Sequence, residues 1–152
     1  MRPGEAAVEI DPATPADLAA AAALLSGAGL TLAGIEAVAE AGTLFVARSA
    51  DGSILGCAGL ERYGRAVLLR SVAVARRARG SGLGRALVAA ALEHARDGGA
   101  REAWLLTETA AAFFAALGWE RCERTQAPPA IAGSVEFATA CPASATAMRR
   151  AL

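Results

Sequence analysis

The stretch Arg79-Gly80-Ser81-Gly82-Leu83-Gly84-Arg85 decides how this chain is read. The apolar run Val67-Leu68-Leu69-Arg70-Ser71-Val72-Ala73-Val74 before it has strand character, and residues 86–95 after it have helical spacing. Glycines at a strand-to-helix junction let the backbone turn tightly and bring several N–H groups onto one ligand. The helix start adds unpaired N–H donors and the positive end of its dipole. Together these make an anion cradle, and a phosphate or pyrophosphate is the anion that suits it. The stretch ends Gly84-Arg85-Ala86, so it lacks the Gly-Lys-Ser/Thr of a P-loop. No repeated βαβ pattern surrounds it, which excludes a dinucleotide fingerprint.

Outward from the loop, the chain alternates short strands and helices. Residues 6–10 predict a first strand. Thr14-Pro15-Ala16-Asp17 predicts a helix start, with Thr14 as N-cap, Pro15 in the first turn and an apolar stripe of Leu18, Ala21, Ala22 and Leu25. Thr31 is expected to cap a second helix through Ile35 and Val38. Residues 43–49 and 54–60 flank the turn signal Asp51-Gly52 and lead into an antiparallel meander with the Val67–Val74 strand. Gly56 suggests close backbone approach.

After the loop, Leu83, Leu87, Ala91 and Ala95 form a helical stripe, and the lone His94 falls late in that helix, where exposure is expected. Ala103-Trp104-Leu105-Leu106 predicts a strand parallel to Val67–Val74 through a right-handed crossover. Thr107 or Thr109 is expected to cap a helix over 110–117. Further strands are expected from Trp119 and over 135–141, with a helical tail over 143–152.

The chain has 152 residues, 55% hydrophobic and 20% charged, with formal net charge zero. That fits one globular domain and gives no basic field for nucleic acid. No apolar run reaches membrane-spanning length, and no signal peptide is recognised, so a cytoplasmic protein with no membrane partner is expected. Cys57, Cys122 and Cys141 are far apart and carry no metal-ligand spacing, which fits a reducing compartment. Arg70 within an apolar strand needs a partner or an acidic ligand. Two readings stand open: a clamp for a substrate carboxylate or phosphonate, and an internal ion pair.

Arg79-x-x-Gly82-x-Gly84, preceded by Val72-Ala73-Val74, resembles the pyrophosphate loop and fourth strand of the GNAT N-acetyltransferases. The resemblance implies an α/β fold with a mixed, mostly antiparallel sheet of six to seven strands, helices on both faces and splayed parallel strands four and five. It implies acetyl-CoA as cofactor and a small-molecule amine as acceptor. Gly80, Ser81, Gly82, Leu83, Gly84 and Arg85, with Arg79, would then hold the pyrophosphate. Val72, Ala73 and Val74 would pair with the pantetheine arm, beside a bulge that opens the slot. The family pattern F-Y-x-x-x-G-F is similar to Phe113-Phe114-Ala115-Ala116-Leu117-Gly118-Trp119, so Phe114 stands where a tyrosine acid is usual and cannot donate a proton. Glu61 and Glu108 are candidate general bases, as is a water chain. Thr107 joins Arg70 as a substrate-binding candidate, and Glu36 does so by analogy with helices that cover the acceptor pocket.

The second half has a narrower likeness. Leu105-Leu106-Thr107-Glu108-Thr109-Ala110, Ala127-Pro128-Pro129-Ala130-Ile131, Glu136-Phe137 and Cys141-Pro142-Ala143-Ser144-Ala145 resemble the arsenic-resistance N-acetyltransferases. The Leu-Thr-x-Thr-Ala stretch is also similar to the acetylating domain of N-acetylglutamate synthases. Both imply an amino-acid-like acceptor, one carrying an arsenical or phosphinic group in a resistance role in the first case. A non-catalytic acyl-CoA-binding module is the alternative that Phe114 motivates. Exposed apolar strand edges suggest a homodimer.

Overall fold

The computed structural model describes residues 8–140 and 143–152. Seven strands form one mixed sheet in the order β1-β2-β3-β4-β5-β7-β6. They are β1 (Glu9–Pro12), β2 (Leu44–Arg48), β3 (Ile54–Tyr63), β4 (Ala66–Val74), β5 (Glu102–Thr107), β6 (Glu120–Cys122) and β7 (Thr146–Ala151). The helices are α1 (Leu18–Gly27), α2 (Ile35–Glu40), α3 (Leu83–Asp97), α4 (Ala111–Ala116) and α5 (Pro129–Ala132). The chain divides into two compact units. One runs through Gly59 and takes in Ser71–Ala91; the other comprises Leu60–Arg70 and Leu92–Leu152.

The first unit holds the antiparallel meander. β1 pairs with β2, and β2 with β3, with a register irregularity between Ala47 and Arg48. The Asp51-Gly52 signal is a turn in which Gly52 has φ 85° and Asp51 Oδ1 accepts from the Ser53 N–H at 2.9 Å. Thr14 and Asp17 start the first helical turn together: the Thr14 N–H and hydroxyl both donate to Asp17 Oδ2, at 2.8 and 2.9 Å. Arg48 also donates to that oxygen, at 2.5 Å. The core joins Leu25, Ile35, Val38, Leu44, Val46 and Cys57, all fully or nearly buried. Each fully buried aliphatic side chain of this kind contributes about 1.5–3 kcal/mol. Gly56 is the close approach anticipated in β3: a Cβ there would lie 2.8 Å from Leu87 Cδ1 and 3.0 Å from the Ala73 carbonyl oxygen.

The second unit holds the parallel pair. β4 runs parallel to β5 through Ala66–Leu68 and Glu102–Trp104, as the crossover rule requires. Ala66, Leu68, Trp104, Ile131 and Phe137 form its core.

Several expectations are corrected. The strand expected over 135–141 is absent as far as Ala140: Glu136–Ala140 is a π-helical turn, and Cys141 lies outside the described residues. Val-Glu-Phe-Ala alternates like a strand, but Ser134 decides the backbone. Its Oγ accepts from the Phe137 N–H at 3.3 Å, and its carbonyl accepts from the Ala138 N–H at 2.8 Å, so it caps a helical turn. The expected helical tail is instead β7. Its backbone pairs on both sides, with β5 from Glu102↔Ala151 to Thr107↔Thr146 and with β6 from Glu120↔Arg149 to Cys122↔Ala147. Two ladders outweigh alanine's helix propensity, a difference of under about 1 kcal/mol per residue. Gly34 at φ 79°, and not Thr31, precedes α2; Thr31 Oγ1 accepts from the Ala33 N–H. The first strand begins at Glu9; Ala6 and Ala7 lie outside the described residues.

Candidate active site

The glycine loop lies in the first unit. A single 3-10 turn, Arg76–Ala78, follows β4. Gly80 and Gly82 then take φ of 80° and 84°, and α3 starts at Leu83. Those angles belong to the left-handed region, where a Cβ is penalised. A Cβ at either position would meet nothing within 4 Å, so glycine is required here by conformation and not by crowding. The first amides of α3 have no intrahelical acceptor. The Ala86 N–H already reaches the Gly82 carbonyl at 3.1 Å, which closes the first turn and leaves the preceding N–H groups for a ligand. Arg85 is exposed beside them. Arg79 is exposed too, but its Nε donates to the Val74 carbonyl at 3.3 Å, which ties the loop back to the end of β4.

Upstream, β4 is interrupted. Ser71 has φ 57°, the left-handed value for a non-glycine residue inside a strand. It is 5% exposed, and its carbonyl accepts from the Cys57 thiol at 3.2 Å. Val72, Ala73 and Val74 follow directly. The break and the three strand residues are where the sequence resemblance implied a bulge and a pantetheine-pairing edge.

A charged cluster lies in the second unit. Arg70, the residue before Ser71, is buried with 0% side-chain exposure. Its Nη1 donates to Glu61 Oε2 at 2.6 Å, and its Nε stands 3.9 Å from Glu136 Oε1. The Tyr63 hydroxyl donates to Glu61 Oε1. Burial and the adjacent Glu61 carboxylate push the Tyr63 phenol well above its ordinary value. Burial pushes the Glu136 carboxyl up to about 7, against the pull of the Arg70 charge and with a further push from Glu61. Of the two readings of Arg70, the internal ion pair is present.

The other candidates separate. Thr107 Oγ1 accepts from the Ala110 N–H at 3.0 Å and so braces the entry to α4. Glu108 and Glu36 are exposed, on different units. Phe114 is 5% exposed and packs edge-on against Trp119 at 5.8 Å between ring centroids. His94 is exposed. Sequence reasoning gave Glu136 no role, although a lone acid within the apolar run Val135-Glu136-Phe137-Ala138 was its visible signal. Ser71 carried no signal, since nothing in its identity announces a positive φ. Among the described residues no group of three or more His, Cys, Asp or Glu could hold a metal ion. No helix there is long and apolar enough to cross a membrane. Cys141 and Pro142, part of the likeness to the arsenic-resistance N-acetyltransferases, lie outside the described residues.

The family model described as an acetyltransferase (GNAT) domain matches residues 40–121, from the end of α2 into β6. The chain belongs to the GNAT acetyltransferase family. The matched region includes the Gly80–Arg85 loop and the break at Ser71 in β4. N-acetylglutamate synthase from Neisseria gonorrhoeae, complexed with coenzyme A and N-acetyl-glutamate, matches with TM-score 0.81 at 21% identity over 95% of this chain. The present chain spans 35% of the length of that protein. Rv2747 from Mycobacterium tuberculosis, in complex with CoA, matches with TM-score 0.80 at 23% identity, covering 95% of this chain and 99% of that one. A GNAT-family acetyltransferase from Staphylococcus aureus Mu50 matches with TM-score 0.78 at 16% identity over 96% of this chain and 99% of that one. At these identities the likeness shows the shared fold. No curated protein matches the sequence.

Proposed function

We propose that the chain transfers the acetyl group of acetyl-CoA to the amine of a small amino-acid-like acceptor. The observation that carries this reading is the left-handed pair Gly80 and Gly82 turning into the N-terminus of a 15-residue helix. Such a nest of amides at a long helix suits a pyrophosphate. Gly80, Ser81, Gly82, Leu83, Gly84 and Arg85 would hold the pyrophosphate of CoA, with Arg79 bracing the loop. The backbone of Val72, Ala73 and Val74 would pair with the pantetheine arm as an added strand. Bound acetyl-CoA supplies the activated thioester carbonyl; the protein's task is to orient the amine and take up its proton. In this reading the two compact units belong to one acetyltransferase domain.

The acceptor's acid group would be received by Arg70, whose planar guanidinium suits a two-point bond to such a group. Thr107 remains a candidate for the same group. The likeness of the second half to the arsenic-resistance N-acetyltransferases supports an acceptor carrying an arsenical or phosphinic group, and the N-acetylglutamate synthase likeness supports glutamate. Phe114 leaves the thiolate to be protonated by solvent, because no tyrosine stands in that segment.

The test is thiol release from acetyl-CoA over an amine panel that includes L-glutamate and L-phosphinothricin. Turnover with an amino acid or its phosphinic analogue is expected. Saturable CoA binding with no thiol release from any amine would overturn the enzymatic reading in favour of an acyl-CoA-binding module.

A further inference from the structure

We propose that Glu136 is the general base that takes the proton from the acceptor's ammonium group, and that Glu61, the more obvious candidate, is a positioning residue for Arg70. This rests on the acetyltransferase reading above.

Glu61 and Glu136 share the Arg70 guanidinium unequally. Both Glu61 oxygens are committed, Oε1 to the Tyr63 hydroxyl and Oε2 to Arg70 Nη1 at 2.6 Å. With one oxygen accepting from a phenol and the other from a guanidinium, neither is directed at an incoming ammonium. Glu136 is different. It is 6% exposed, yet its nearest oxygen stands 3.9 Å from Arg70 Nε, beyond hydrogen-bond length. The cation is near enough to keep an ionised Glu136 tolerable and too far to lock it. Among the described residues the charged and titratable groups facing it are Arg70 on β4 and Glu61 and Tyr63 on β3; α5, packed against the same turn, carries only Pro129, Ala130, Ile131 and Ala132. Burial places its carboxyl at about 7, the range in which a base is half-ionised at neutral pH.

The step balances. The ammonium N–H bond breaks and a Glu136 O–H bond forms. The freed nitrogen lone pair bonds to the acetyl carbon as the thioester C–S bond breaks, and sulfur leaves with the electron pair. The second amine proton is released to solvent, solvent protonates the thiolate, and Glu136 returns its own proton to solvent. Arg70 directly precedes Ser71 in β4.

The experiment is a pH profile of kcat/KM, by thiol release, for the wild type and for Glu136→Gln, Glu136→Asp and Glu61→Gln, using the panel amine with the highest turnover. CoA affinity by calorimetry is the control for folding. The wild type is expected to show an acidic limb near pH 7. Glu136→Gln should lose that limb and about 10²–10⁴-fold in kcat with CoA affinity unchanged. Glu136→Asp should keep the limb with a reduced kcat. Glu61→Gln should keep the limb and raise the acceptor KM. A Glu136→Gln enzyme that retains the limb, or a kcat within about threefold of wild type, overturns the proposal while leaving the acetyltransferase reading intact. Absence of wild-type turnover with every amine removes both.

Discussion

The Arg70 guanidinium, wholly buried, donates to Glu61 Oε2 at 2.6 Å. A fully buried cation is expensive without a partner, and breaking such a pair costs more than the pair is worth. Glu61 keeps 19% side-chain exposure, so water softens the loss when it is removed. Glu61→Ala is expected to destabilise by about 2 kcal/mol, below the 3–5 kcal/mol typical of a wholly buried pair. Urea denaturation measures this, and an unchanged midpoint would mean that Arg70 finds full compensation elsewhere.

The loop makes a second prediction. At Gly82, with φ 84°, alanine finds open space but an unfavourable backbone. Gly82→Ala should cost about 1–2 kcal/mol in stability or relax the loop out of shape. In either event CoA affinity should fall by about tenfold or more, a loss of about 1.4 kcal/mol, as read by calorimetry. Gly27, which has ordinary φ and open space around it, is the control: Gly27→Ala should leave CoA binding unchanged.

Gly56 predicts the opposite mechanism. Its backbone has no positive φ, but a Cβ would press on Leu87 and on the Ala73 carbonyl. The leucine end can give way; the carbonyl of a sheet strand cannot do so easily. Gly56→Val is therefore expected to cost about 1–3 kcal/mol by overpacking. A thermal shift of several degrees downward checks it.

Stability should depend on pH through Glu136. Its carboxyl is raised from 4.5 to about 7 in the fold. Between these values the unfolded chain has released the proton and the folded chain still holds it, so stability falls as pH rises through this window. Below about 4.5 the term vanishes; above about 7 the full penalty stands, on the order of 3 kcal/mol. Glu136→Gln should flatten the profile of unfolding free energy across pH 4.5–7 and stabilise the protein at pH 8. A slope identical to wild type would show that the carboxyl is not perturbed.

Cys57 should be unreactive in the native state. It is fully buried, burial pushes its thiol up to about 12, and its Sγ is spent on the Ser71 carbonyl. Labelling with a thiol reagent at pH 8 should modify Cys57 only after denaturation. Rapid native labelling would mean that the strand break at Ser71 opens.

The sequence by itself determined the fold type and the backbone of the glycine loop. Arg79-x-x-Gly82-x-Gly84 between an apolar run and an amphipathic helix reports backbone conformation directly, because left-handed turns select glycine whatever lies around them. The Asp51-Gly52 turn, the Thr14–Asp17 helix start and the parallel β4–β5 pair were legible for the same reason: each depends on neighbours in sequence or on chain handedness. Only the tertiary structure decided the rest. β7 is a strand because β5 and β6 offer it two ladders, and the turn at Glu136 follows from a Ser134 cap that alternating Val-Glu-Phe-Ala conceals. Arg70 was visible as a charge in an apolar strand, but its partners come from β3 and from a turn more than sixty residues later. Which carboxylate is locked and which is left basic is a matter of ångströms between distant residues, and no local pattern in the chain encodes such distances.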